Sequence, residues 1–205
     1  MNTLEVKYEH KINNWVDFVK YATKQFIEYE KLEGRNWKEY DFSIDCAEDQ
    51  MLFKDMLQIR CIEELTEASI AYNESYEHFI EEITDAINFF VSACVMCNKL
   101  DKMPIPEINH KDRTKSIYNN TSYKELGNLF YTFIEKIGYL CNLLKNRPWT
   151  QSNYLVSILD FDERFNDLWF AFWDLLDLLG FSKEKVYECF ERKYEVNKWR
   201  IKTGY

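Results

Sequence analysis

Cys61-Ile-Glu-Glu-Leu-Thr-Glu-Ala68, followed a short distance on by Glu81-Glu-Ile-Thr-Asp-Ala-Ile-Asn-Phe-Phe90, is the stretch on which the fold turns. Glu64 and Glu67 stand three residues apart, as do Glu82 and Asp85, so each pair lies on neighbouring rows of one face if the segments are helical. The apolar residues around them keep helical spacing. Leu57, Ala68 and Ala71 fall seven before, four after and seven after Glu64, and Phe79, Ala86, Phe89 and Ala93 flank Glu82 at similar offsets. Both acids therefore interrupt stripes that otherwise have the pattern of a buried face. Periodicity runs from about Asp45 to Tyr72 and again from about Ser75 to Lys99, and the short joint Asn73-Glu74 predicts an antiparallel helix pair.

The same period extends outward in both directions. Before the pair, Trp15, Phe18, Val19, Ala22, Phe26 and Ile27 form one stripe of a helix expected over about 14–31, closed by Gly34. After it, Asp101 to Thr121 lacks clean periodicity, carries Pro104 and Pro106, and reads as a mobile connector. Ser122 with Glu125 makes a capping box for a helix ending near Asn146, where Pro148 stops it. A further apolar stretch spans roughly Ser152 to Leu179 and ends at Gly180. Ser182 can cap a last helix that turns Val186, Phe190 and Val196 inward. Only 5 Gly and 3 Pro occur in 205 residues, too few turns for a strand-rich chain, so the expected class is all-α, a helical bundle in one domain over 1–205.

Composition narrows the functional classes. With 46% hydrophobic and 17% aromatic residues there is ample material for a core, and Trp169, Phe170, Phe172 and Trp173 fit either that core or a subunit interface. A formal net charge of -9 argues against general nucleic-acid or acidic-membrane binding, which needs a basic excess. No apolar run approaches the roughly 20 residues that span a bilayer, and the polar start gives no leader-like pattern, so a cytoplasmic protein is expected. The 6 cysteines are scattered through helical stretches and read as reduced; Cys94 and Cys97 form a CxxC with no second pair to complete a zinc site. Neither a P-loop nor a GxGxxG occurs, and His10, His78 and His110 have no nucleophile arranged around them.

The chemistry must then rest on the acids. Carboxylates gathered under apolar cover are costly unless protonated or compensated, and ligation by oxygen without His or Cys suits a hard ion such as Mg²⁺ or Mn²⁺. A ferritin-like di-iron centre would need Glu-x-x-His on core helices, whereas the only such spacing, Glu107 to His110, lies in the connector.

Paired ExxE and ExxD on consecutive helices resemble the all-α NTP pyrophosphatase superfamily, which includes MazG-like proteins and the dimeric dUTPases. The closing residues Lys193-Tyr-Glu-Val-Asn197-Lys-Trp-Arg200-Ile-Lys-Thr-Gly204-Tyr205 look like the dimeric dUTPase ending, Lys-Asn-x-x-Asn-x-x-Arg-Gln-x-x-Gly-Tyr, keeping five positions in identity and spacing. Tyr194 and Ile201 depart from it, and the lysine-bearing WKWWK-type segment between the acid pairs is absent. Gln25, followed by Glu28, is the counterpart of the family's base-reading Gln/Asn motif on the first helix.

The resemblance implies that Glu64, Glu67, Glu82 and Asp85 hold two or more Mg²⁺ ions, with Mn²⁺ as a possible substitute, and that Glu64 orients or deprotonates the attacking water. It also implies that Lys193, Asn197, Arg200 and Tyr205 close over the nucleotide, that dUTP gives dUMP and pyrophosphate, and that the protein is a homodimer. Hydrolysis of a related nucleotide such as dCTP is the alternative that the Gln25 counterpart leaves open, and a catalytically inactive helical module that binds nucleotide or protein is the one that the missing segment leaves open.

Overall fold

The computed structural model describes residues 11–32, 34–36, 42–144 and 156–203, and among them all regular structure is helical. In chain order these are α1 (Trp15–Leu32), α2 (Ala47–Lys54), a π-helical segment (Asp55–Cys61), α3 (Ile62–Ala71), α4 (Tyr76–Met96), α5 (Thr114–Asn120), α6 (Tyr123–Leu143), α7 (Ile158–Leu178) and α8 (Lys183–Thr203). The helix expected over 45–72 is thus one run, 47–71, but with seven residues wound to the wider π ladder just before Glu64. Hydrophobic spacing near 3.6 does not distinguish a π turn from an α turn, which is why the sequence does not announce it. None of the helices is long and apolar enough to cross a membrane.

Caps set the boundaries. Ser75 and Ser122 accept from the backbone N–H groups three residues on, and Ser122 with Glu125 forms the full reciprocal box. Ser157 caps α7, and Ser182 accepts from the Lys185 N–H at the head of α8. Between α7 and α8, Gly180 takes φ +85°, with Phe181 N–H returning to the Leu176 carbonyl. A Cβ there would also stand 2.8 Å from the Arg113 carbonyl carbon, so both the conformation and the space call for glycine. Pro148 lies outside the described residues.

α4 is the central element, packed against α1, the π segment and α3, and α8. Phe90 on α4 stacks on Phe172 of α7 at 3.9 Å between ring centres, with Phe133 of α6 beside them. Trp15, Trp169 and Trp173 meet edge to face, and Phe18 lies against Tyr187 and Phe190, which ties α1 to α7 and α8. Of the aromatic stretch in α7, Trp169, Phe172 and Trp173 are buried in the chain's own core and Phe170 points outward. Val196 is half-buried, whereas Val186 and Phe190 are fully inside.

The connector 101–121 contains α5 and is fastened at several points. Trp169 Nε1 donates to the Pro104 carbonyl, Arg113 N–H to the Gly180 carbonyl, and the Tyr72 hydroxyl to the carbonyls of Tyr118 and Thr121. These bonds come from residues distant in sequence, so periodicity within the connector cannot report them.

Candidate active site

Four helices contribute to one polar region. From α3 comes Glu64, half-buried; from α4 come Glu82, buried, and Asp85, whose side chain is 16% exposed. One carboxylate oxygen from each of these three can be chosen so that all lie within 4.8 Å of one another. Their helices meet there because the short turn at 72–75 folds α4 back along α3, the arrangement that the Asn73-Glu74 joint predicts. Glu67, the fourth expected member, is exposed one turn further along α3 and is not part of this cluster. It still acts on Glu64 through space, as one of several negative charges that raise its pKa.

The third contribution is a lysine on α8. Lys193 Nζ lies 2.5 Å from Asp85 Oδ2 and 4.0 Å from Glu81 Oε1, with only 11% of its side chain exposed. Asn197, one turn on, is half-buried, and so is Arg200, two turns on; Tyr205 lies outside the described residues. From α1 comes Gln25, 2% exposed, whose Nε2 donates to Asn88 Oδ1 at 2.9 Å. Gln25 Oε1 is buried with no hydrogen-bond partner, an acceptor whose lone pairs are unused in the free protein. The Tyr29 hydroxyl connects these parts: it accepts from Gln25 Nε2 at 3.4 Å, and Asn197 on α8 lies near enough to favour its ionised form. Asn88, three residues beyond Asp85, and Tyr29, four beyond Gln25, do not stand out in the sequence; helical spacing from Asp85 and Gln25 is the one signal that could have found them.

Tyr194, where the related ending has Asn, is buried between α1 and α8. It meets Tyr21 and Tyr29 edge to face and donates its hydroxyl to the Glu28 carboxylate. The departure from the pattern therefore fills the α1–α8 joint rather than the polar region itself.

Charge in this cluster is not balanced. Burial, then Asp85, then a hydrogen bond and repulsion from Glu82 push Glu64 from its ordinary 4.5 to about 8. Burial raises Asp85 to about 6 even though Lys193 pulls the other way. Three oxygens of this kind are a hard-ion donor set, and two oxygens on opposite sides of Mg²⁺ stand about 4.2 Å apart at the usual bond length. A spread within 4.8 Å needs only small side-chain adjustment to match that, so Glu64, Glu82 and Asp85 fit a divalent cation. The buried CxxC offers no competing site: Cys94 and Cys97 are enclosed among apolar groups, and burial pushes both thiols well above the usual range.

A model of the dUTPase family matches residues 69–205, two thirds of the chain. The chain belongs to the dUTPase family. The dUTPase match takes in Glu82, Asp85, Lys193, Asn197 and Arg200, and it begins after Gln25, Glu64 and Glu67. Neither a curated protein nor a solved structure matches the chain. The resemblance to the all-α dUTPases drawn from the acid pairs and the closing helix is thus borne out at the level of the family. The convergence of α3 with α4 adds Glu64, which the matched region does not contain.

The raised carboxyls give a pH signature. Both bind protons more tightly in the folded chain than in an unfolded one, where they titrate near 4.5 and 3.8. Their stabilising protonation is complete below those unfolded values and is lost as pH rises, through about 6 for Asp85 and about 8 for Glu64. A bound cation competes with those protons, so the rise in melting temperature on adding Mg²⁺ should be larger at pH 8 than at pH 6. Equal shifts at the two pH values, measured by differential scanning calorimetry, would contradict the charge balance described here.

Proposed function

We infer that the protein hydrolyses dUTP to dUMP and pyrophosphate in a Mg²⁺-dependent reaction. One observation carries the reading: the carboxylates of Glu64, Glu82 and Asp85 converge beside Lys193 in a chain of the dUTPase family. Those three residues would hold the ion, with Glu67 one turn away as a ligand for a second. A divalent ion there supplies positive charge to the triphosphate oxygens and acidity to its bound water.

The side chains divide the remaining work. Glu64, facing Glu82 and Asp85 from the neighbouring helix, orients the attacking water and accepts its proton as the bond between the α- and β-phosphoryl groups breaks. Lys193 and Arg200 offset charge on the phosphates, Arg200 with the planar fork suited to paired oxygens. Gln25 offers its unpartnered Oε1 as an acceptor for a base N–H, which uracil carries at N3 and cytosine lacks. Asn88 fixes that amide by accepting from its Nε2, and Asn197 and Tyr29 complete the wall. Tyr205 closes over the sugar or phosphate, the protein works as a homodimer, and its compartment is the cytoplasm.

The test is pyrophosphate release across dUTP, dCTP, dTTP, dATP, dGTP and dUDP with Mg²⁺. Preference for dUTP, with dCTP poorer by tenfold or more, is the expected result. A flat response to every triphosphate would remove the base-reading role of Gln25, and no release from any of them would leave an inactive nucleotide-binding module.

A further inference from the structure

His78 stands one turn below Glu82 on α4, and each of its ring nitrogens faces a carboxylate. Nδ1 lies 2.7 Å from Glu74 Oε2, in the turn that joins α3 to α4, and Nε2 lies 2.8 Å from Glu82 Oε1. Its own backbone N–H is taken by the Ser75 cap, so replacing the imidazole leaves that cap in place. The Glu82 side chain is only 10% exposed, while that of His78 is 44% exposed. A solvated imidazole thus reaches inward to grip one oxygen of an enclosed acid.

We propose that His78 is a positioning residue for divalent-cation binding: by holding Glu82 Oε1 and anchoring on Glu74, it fixes the Glu82 carboxylate toward Glu64 and Asp85. The inference rests on the metal reading given above. A carboxylate on a glutamate stem has three rotatable bonds, and a ligand that must find its angle on binding loses affinity to that search. A hydrogen bond from outside the ligand set removes the search and confines Glu82 to presenting the remainder of its carboxylate to the ion. Glu74 does the same for the imidazole, which makes the α3–α4 turn part of the support. The histidine supplies no bond to the ion itself, which is why spacing of acids alone does not single it out.

Binding of Mn²⁺ to the nucleotide-free protein, followed by the loss of the free-ion EPR signal, tests this without reference to turnover. His78→Ala should weaken Mn²⁺ binding about tenfold or more, within the usual ten- to hundredfold range for a residue that orients a ligand. His78→Gln, whose amide can reach Glu82 from the same helical position, should recover most of that loss. Without metal the melting temperature should fall in His78→Ala, because the enclosed Glu82 loses a partner, and fall less in His78→Gln, with the Ser75 cap intact in both. Unchanged or tighter Mn²⁺ binding in His78→Ala, or equal loss in the Ala and Gln variants, overturns the proposal. Glu82→Gln separates the two failures: if it too leaves Mn²⁺ binding unaltered, the metal reading falls, whereas if it abolishes binding while His78→Ala does nothing, only the histidine's role falls.

Discussion

Glu64→Gln should lower dUTP turnover by roughly a hundred- to a thousandfold and, at the same time, raise the melting temperature of the metal-free protein. The opposite signs have one cause. Glu64 is held to about 8 by burial, Asp85 and Glu82, so ionising it in the empty site is unfavourable, and a neutral amide of the same shape relieves that repulsion. The same replacement removes the negative oxygen that would hold the ion and take the proton from water. The Mg²⁺-dependent rise in melting temperature should shrink in step with activity. Asp85→Asn should match it in turnover but not in stability, because Asp85 is also the partner of Lys193 at 2.5 Å. Undiminished turnover in Glu64→Gln, measured by pyrophosphate release at saturating Mg²⁺, would remove Glu64 from the reaction.

The second large effect is expected at Lys193. Its side chain is 11% exposed and its ammonium is the cation that Asp85 and Glu81 share in the metal-free protein, so Lys193→Met strands a largely enclosed carboxylate. Breaking an enclosed pair by removing one partner costs about 3–5 kcal/mol, and the solvent that reaches this one argues for the lower end. Metal should restore much of the loss, since an ion at Asp85 replaces the missing charge, whereas turnover should stay depressed about a hundredfold because nothing replaces the lysine at the phosphates. Calorimetry with and without Mg²⁺, set beside kcat/KM for dUTP, separates the two roles. A variant that is as stable as the parent without metal would show that the Lys193–Asp85 contact carries no weight, and one with full kcat/KM would take Lys193 away from the substrate.

These two variants also expose how the region is built. Its acids repel one another, and the lysine on α8 is the internal counter-charge that lets the cluster persist without metal. If Lys193 serves the phosphates as proposed, substrate draws it from carboxylate toward phosphate, which would make helix α8 answer to both ion and nucleotide. The part-buried Tyr194–Glu28 contact and the Tyr21–Glu195 hydrogen bond at 3.2 Å fasten that helix to α1.

The sequence by itself determined the helical class and most helix ends, because burial at a period of 3.6 and Ser caps are local properties that each segment carries within itself. It also determined which residues to consider. Glu64 and Glu82 are marked by interrupting apolar stripes, Asp85 by its spacing from Glu82, Lys193, Asn197 and Arg200 by the closing motif, and Gln25 as the counterpart of the family's Gln/Asn motif. Only the tertiary structure decided which of these meet. Spacing treats Glu67 as the equal of Glu64, but the rotation of α3 turns Glu64 toward α4 and Glu67 toward solvent. Asn88, Tyr29 and His78 gained their roles from what faces them across other helices or one turn away, and the π segment before Glu64 left no mark in hydrophobic spacing. The physical reason is that a periodic pattern fixes the face a residue occupies, whereas the partners on that face are set by how the helices cross, which depends on the whole core at once.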